Sequence, residues 1–262
     1  MAGCLGCSTW ERKTLRGSVE LRARSSSTAT ASPRGSVRSP QLSTRGFLDS
    51  AAYTELHAHG TWTVDARAWA ALAGRWQEEA GLLEAAGIHD WLCTPGALES
   101  TRLTVARHQE LTVRSFLELR DLAPGVPWVP TVQGWLPDDY LHHVELYSRA
   151  GVDLTLELLV GVGSIAQRQE TPTAARVLER LHDDAQLGNL HAFGAKFGGL
   201  GSWGWAVRSA DSMAWSWDAR RMGYSCARHP GDCRNCQWYA EHWGRRLERL
   251  VGNSRQLTLN MS

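Results

Sequence analysis

No apolar run in this chain approaches the roughly 20 residues that a membrane-spanning helix needs. Residues Met1 to Trp10 hold no basic stretch followed by an apolar one, so no secretory signal is expected and a cytoplasmic location is. Six cysteines in 262 residues are too sparse for a disulfide-stapled secreted scaffold. No GxGxxG run opens a helix, which weighs against an open dinucleotide-binding sheet. Charge of one sign is missing too: 28 Lys and Arg face 27 Asp and Glu, and a net +1 gives no global reason to expect a polyanionic partner. Lysine is nearly absent, with only Lys13 and Lys196, so Lys196 stands out in the body of the chain.

What is present is unevenly placed. Residues 1–45 carry eight basic side chains against Glu11 and Glu20, a net of +6, which leaves −5 for the remainder. Ser25 to Ser43 is rich in Ser, Thr, Ala, Arg and Pro and has almost no large apolar side chain, so residues 1–45 are expected to be a disordered basic tail. From residue 46 to 252 short apolar runs alternate with helical patterns, and 253–262 reads as a second tail. Spacing predicts helices over Ala66 to Ala86, Leu98 to Leu122, Asp138 to Ala150 and Thr171 to Leu187. Strands are predicted within Ile88 to Cys93, Val126 to Trp135, Val152 to Val162, Leu190 to Phe197 and Val207 to Trp215, with a first short run at Leu48. An alternation of about 30 residues indicates βαβ units on a parallel sheet, and the fold class expected is α/β, a (β/α)8 TIM-like barrel trimmed at its N-terminus.

Polar residues stand at the strand ends: Asp49, Asp90, Gln133, Gly161 and Gly163, Phe193 with Lys196, and Asp211. Singly, each reads as a helix cap or a turn. Together they place three carboxylates, a glutamine and the body lysine where a barrel gathers its strand ends into one mouth. A second signal is Cys226-x2-His229-x3-Cys233-x2-Cys236, three thiols and an imidazole suited to a tetrahedral structural zinc, with His242 as an alternative fourth ligand. Around it, from Ala219 to Arg255, eight arginines face three acids, which suits either phosphate contact or a solvated helix face. His57-Ala58-His59 has the spacing of a hydrolase metal pair, though it sits in an expected turn rather than at a strand end.

In this order the stretches LDSAAYTEL, DWLC, HQELTV, VPTVQGW, YLHHVELYSRAGVDLTLELLVGVGSIAQRQ, LHAFGAK, SADSMAWSWDARR and CRNCQWYAEHW resemble the guanine-transglycosylase superfamily, most closely its DpdA-like deazapurine DNA modification branch. The resemblance covers roughly residues 47–247. It implies a zinc-bearing barrel that exchanges a guanine in a nucleic acid for a 7-deazaguanine of the 7-cyano type, in DNA rather than tRNA, with helper proteins as possible partners. By motif it implies Asp211 as the nucleophile that forms a covalent glycosyl-enzyme intermediate, and Asp49 as the acid/base. Asp90 and Gln133 then face the base, Gly161 to Gly163 line its pocket, and Cys226, His229, Cys233 and Cys236 hold zinc. Breaking an N-glycosidic bond through an oxocarbenium-like state suits two carboxylates, one to take C1′ and one to move a proton. Tyr53, Phe193 or Trp215 could stack on the extruded base, with Trp215 favoured as core. Where the superfamily carries paired glycines and a phenylalanine, this chain has Ala51-Ala52 and Tyr53. That departure leaves open a barrel that binds nucleic acid without exchange.

Overall fold

A computed structural model describes residues 7–15, 18–26, 46–80, 83–228, 230–236, 238–247 and 249. A hairpin, β1 (Cys7–Leu15) and β2 (Ser18–Ser26), comes first. The body follows as β3 (Gly46–Leu48), α1 (Ala52–His59), α2 (Ala66–Ala80), β4 (Leu83–Gly87), α3 (Pro95–Thr101) and α4 (Val105–Leu122). It continues as β5 (Trp128–Val129), β6 (Thr131–Val132), α5 (Pro137–Arg149), β7 (Val160–Val162) and α6 (Pro172–Asp183). It ends as β8 (Leu190–Ala192), α7 (Phe197–Trp203), β9 (Ser209–Ser212) and α8 (Ala214–Arg221), and residues 238–247 are helical.

Strands β3, β4 and β5 form one parallel sheet, and β6, β7, β8 and β9 run parallel in a second. The two meet at Pro130, which has no N–H to give but whose carbonyl accepts the Gly161 N–H at 2.8 Å. The first sheet continues no further than β3. The second extends through β1, antiparallel to β9, and then β2. The expected α/β class with parallel strands is therefore present. The arrangement is barrel-like, and a closed eight-stranded ring is not shown: among the described residues no ladder joins β3 to the β1–β2 edge. The hairpin lies within the stretch whose composition predicts disorder. Its first strand pairs with the edge of β9 through main-chain hydrogen bonds, which composition does not report. Residues 27–45 and 253–262 lie outside the described residues.

Three sequence expectations shift for local reasons. The helix predicted over Ala66 to Ala86 stops at Ala80, and Leu83–Gly87 becomes β4, because this run pairs with β3 and β5 on both sides. The strand predicted at Ile88 to Cys93 is thus the loop after β4. The helix predicted over Leu98 to Leu122 breaks at Arg102, whose φ is 57°, and restarts with the Thr104 hydroxyl accepting the Arg107 N–H. The strand predicted from Val152 narrows to Val160–Val162. The Asp153 carboxylate takes the Thr155 N–H at 2.9 Å and folds the preceding residues into a turn, leaving Leu156 83% exposed.

Helices α2, α4, α5 and α6 pack Trp69, Phe116, Tyr140, Tyr147 and Leu178 against the sheets. Several of these anchors also set the strand ends. Trp69 Nε1 donates to the Gly87 carbonyl, and the Tyr140 hydroxyl donates to the Gly163 carbonyl at 2.7 Å. The Tyr147 hydroxyl bonds to the Thr131 carbonyl at 3.1 Å.

Candidate functional site

Parallel strands point their C-terminal ends the same way, so the loops after β3, β4, β7 and β8 and the end of β9 surround one cavity of about 870 Å3. Asp49, Asp90, Gly163, Phe193, Lys196 and Asp211 all line it. So do Tyr53, Ser50, Ser164 and Glu170, together with Trp217 and Arg221 from α8. Trp217 is 66% exposed at the rim and carries the Arg220 guanidinium 5.9 Å over its ring. Trp215, by contrast, is core, while the Tyr53 hydroxyl accepts from Gln167 Nε2 at 3.0 Å and its ring lies against His57.

Asp211 sits within β9. Its Oδ1 accepts the Gly194 N–H at 2.9 Å, a contact made possible by the left-handed turn at Gly194, where φ is 66°. His191 Nε2 lies 3.4 Å from the same oxygen. Asp49 follows β3 and its accessible surface opens into the cavity. Enclosure by the surrounding protein pushes its carboxyl above the usual aspartate value, the Asp211 charge adds to that, and the Ala51 N–H at 3.0 Å opposes it.

Asp90 is buried on the loop after β4, and burial raises its pKa to about 7, with the Gln133 hydrogen bond opposing and the Asp49 charge reinforcing the shift. Gln133 departs from its expected placement. It is fully buried and does not line the cavity. Its Nε2 donates to Asp90 Oδ2 at 2.5 Å, while its Oε1 accepts the Ser164 hydroxyl at 2.6 Å. Ser164 in turn accepts the Cys93 N–H at 2.8 Å. Both ends of the amide are thus committed within the wall, and Gln133 holds Asp90 rather than facing the cavity. Gly161 also stays behind the wall: a Cβ there would meet the Phe193 ring at 2.4 Å and Thr131 Oγ1 at 2.8 Å. At Gly163 a Cβ would meet Gln133 Nε2 at 2.1 Å, so this glycine is required by the packing of the amide. Ser164 and His191 carry no signal a lone sequence could give. Each acts through a partner more than ten residues away.

Ala51 adopts φ 62° and ψ 30°, the left-handed region, as it caps α1. This is the place where the superfamily's first glycine would be free of strain. A left-handed alanine costs about 1 kcal/mol against glycine. Ala51→Gly is therefore expected to raise the thermal midpoint slightly, read by calorimetry, and an unchanged or lower midpoint would contradict the strain.

Away from the cavity, Cys226, Cys233 and Cys236 bring their sulfurs within 4.8 Å of one another, with Cys226 and Cys236 3.9 Å apart. Two thiolates on a tetrahedral zinc, each about 2.3 Å from it, sit about 3.8 Å apart. The Cys226–Cys236 spacing therefore matches such an ion, and Cys233 lies within 4.8 Å of both. Burial, followed by the neighbouring Cys226 and Cys236 thiols, pushes Cys233 up to about 12, which marks the cluster as costly to ionise without a cation. His229 lies outside the described residues. His242 is stacked on Trp238 and is not in the cluster. Neither His57 nor His59 belongs to a metal cluster. Both lie on α1, with His57 against Tyr53 and Gly96, so the hydrolase pairing finds no second set of ligands among the described residues. No helix of the described residues is long and apolar enough to cross a membrane.

A family model described as DeoxyPurine in DNA protein A, DpdA, matches residues 14–259. No curated protein matches the chain.

Proposed function

The chain belongs to the DpdA family, proteins of deazapurine modification in DNA, and from that premise we propose that it exchanges a guanine in DNA for a 7-deazaguanine at the cavity just described. The observation that carries this reading is that three carboxylates, Asp211, Asp49 and Asp90, line one cavity, with Asp90 held by Gln133.

The reaction then proceeds in two displacements. With the target nucleotide out of its stack, an Asp211 oxygen forms a bond to C1′ as the C1′–N9 bond breaks, which gives a glycosyl-enzyme ester. Asp49, its pKa raised and so protonated more readily than a free aspartate, gives its proton to the departing guanine. The 7-deazaguanine then enters and loses its N9 proton to Asp49. Its N9 attacks C1′, and Asp211 leaves as a carboxylate. Atoms and charge balance with no oxidant or external acid. Lys196, Trp217 and Arg221 at the cavity edge suit a flanking phosphate and base. At the cysteine cluster Cys226, Cys233 and Cys236, with His229 as the proposed fourth ligand, would hold a zinc ion that would supply a structural cross-link.

Guanine presents N1–H and N2–H donors that an ionised carboxylate accepts together, so Asp90 reads the base best when charged. With a pKa of about 7, Asp90 is mostly protonated at pH 6 and mostly ionised at pH 8. Binding of the free base is therefore expected to strengthen as pH rises through about 7. Asp90→Asn is expected to flatten that rise and weaken binding by roughly 10- to 100-fold. Calorimetric titration of the base across pH 6 to 8 checks this, and a wild-type affinity independent of pH would contradict it.

The exchange itself is tested with purified protein and labelled 7-cyano-7-deazaguanine or guanine, offered separately with duplex DNA, single-stranded DNA and bulk tRNA. Label entering DNA is the expected result. Label entering tRNA alone, or none entering any polymer from folded, metal-loaded protein, would overturn it.

A further inference from the structure

His191 is the middle residue of β8, and the exchange chemistry above does not use it. His191 and Ser209 are direct partners in the β8–β9 register. Asp211 lies two residues beyond Ser209 on the same face of β9. The imidazole is completely buried. One face stacks on Phe47 at 5.1 Å and 17°, and the Phe193 ring meets it edge-on at 4.9 Å, so the ring is held in place. Nδ1 is 2.8 Å from the Ser209 hydroxyl. Nε2 has no hydrogen-bond partner among the described residues, yet it lies 3.4 Å from Asp211 Oδ1.

We infer that His191 is a positioning residue for Asp211, and that Ser209 sets the imidazole tautomer that makes it one. The inference rests on the reading of Asp211 as the nucleophile. A ring nitrogen without a proton would set its lone pair against the carboxylate, so Nε2 carries the proton. The Ser209 hydroxyl donates to Nδ1 and completes that tautomer. His191 and the Gly194 N–H then converge on Oδ1 from two directions and fix the plane of the carboxylate toward the cavity. A neutral imidazole suits this role better than a cation. It keeps the carboxylate oriented, and it forms no fixed ion pair that must break when Asp211 surrenders its charge to the C1′ ester. Packing alone does not require a histidine here. An aliphatic side chain would fill the space between Phe47 and Phe193 without burying two ring nitrogens.

The test begins without substrate. Nitrogen-15 histidine spectra of the whole protein are expected to show His191 as the Nε2–H tautomer. Its Nε2 resonance should move in Asp211→Asn, and the tautomers should mix in Ser209→Ala. Identical His191 resonances in wild type and Asp211→Asn would overturn the inference. The second arm is kinetic. In folded His191→Phe, which keeps the stacking and loses the donor, exchange kcat is expected to fall roughly 10- to 100-fold with KM for DNA unchanged, as for a slightly misplaced reacting group. His191→Gln, whose amide nitrogen reaches about as far as Nε2, is expected to restore part of that loss. Full kcat in His191→Phe would overturn the inference even if exchange by the wild type is established. Should the wild type exchange no base while the spectra show the coupling, the exchange reading fails and the positioning of Asp211 stands.

Discussion

Asp211→Asn is expected to lower base exchange by at least about 10³-fold while leaving DNA affinity within a few-fold of wild type. An amide keeps the shape, and it keeps an oxygen for the Gly194 N–H, but it can neither form a stable ester to C1′ nor balance the oxocarbenium charge. The contacts proposed for DNA at the cavity edge are untouched by the change. The loss therefore falls on kcat. Denaturing gels after incubation with labelled DNA should show a covalent adduct with the wild type and none with Asp211→Asn. An adduct that persists in the variant would move the nucleophile elsewhere, with Asp49 the next candidate because it lines the same wall. Asp49→Asn is the informative companion. Loss of proton transfer slows exchange, yet an adduct can still accumulate when the base is a better leaving group.

Removing the cysteine cluster is expected to have the largest effect on stability. Cys233 and Cys236 are buried, and the helical residues after them bring Tyr239, Trp243 and Leu247 into the main core alongside Trp203 and Trp215. A metal on Cys226, Cys233 and Cys236 ties this segment to the end of α8. Without it, two buried thiols and the half-buried Cys226 thiol crowd together with no cation to balance them. Structural zinc contributes on the order of 10 kcal/mol to folding in small zinc-dependent domains, and a cross-link on an existing core contributes less. A loss of about 3 to 5 kcal/mol lowers the thermal midpoint by roughly 6 to 20 °C in a chain of this size. Cys233→Ser, and chelation of the wild type, are both expected to show that drop. Elemental analysis should find one metal ion per chain in the wild type and less than one in the variant. A metal-free wild type with the same midpoint as the chelated protein would remove the site.

Legibility in the sequence followed how local each determinant is. β7 is a short apolar run buried on both faces, and α6 carries its apolar stripe and a threonine cap, so both are visible in a single stretch. β4 is not visible. Leu83-Glu84-Ala85-Ala86 has helical composition, and only its pairing with β3 and β5 makes it a strand. The site divides in the same way. Asp49, Asp90 and Asp211 could be listed from their positions at predicted strand ends, and the cysteine spacing gave the thiol cluster. The role of Gln133 could not be read, because whether an amide faces a cavity or a neighbouring carboxylate depends on Ser164, Cys93 and Asp90, which lie 31 to 43 residues from it or reach it only through one another.

By itself the sequence determined the alternation of strands and helices, the residue types at the strand ends and the spacing of the thiols, because periodicity, capping and ligand spacing act over a few residues. Only the tertiary structure decided that no ladder among the described residues closes the parallel sheets into a ring, that β1 pairs with β9, that Gln133 turns inward and that His191 faces Asp211. Each of these depends on hydrogen bonds or ring contacts between segments far apart in the chain, and their geometry exists only once the strands lie side by side.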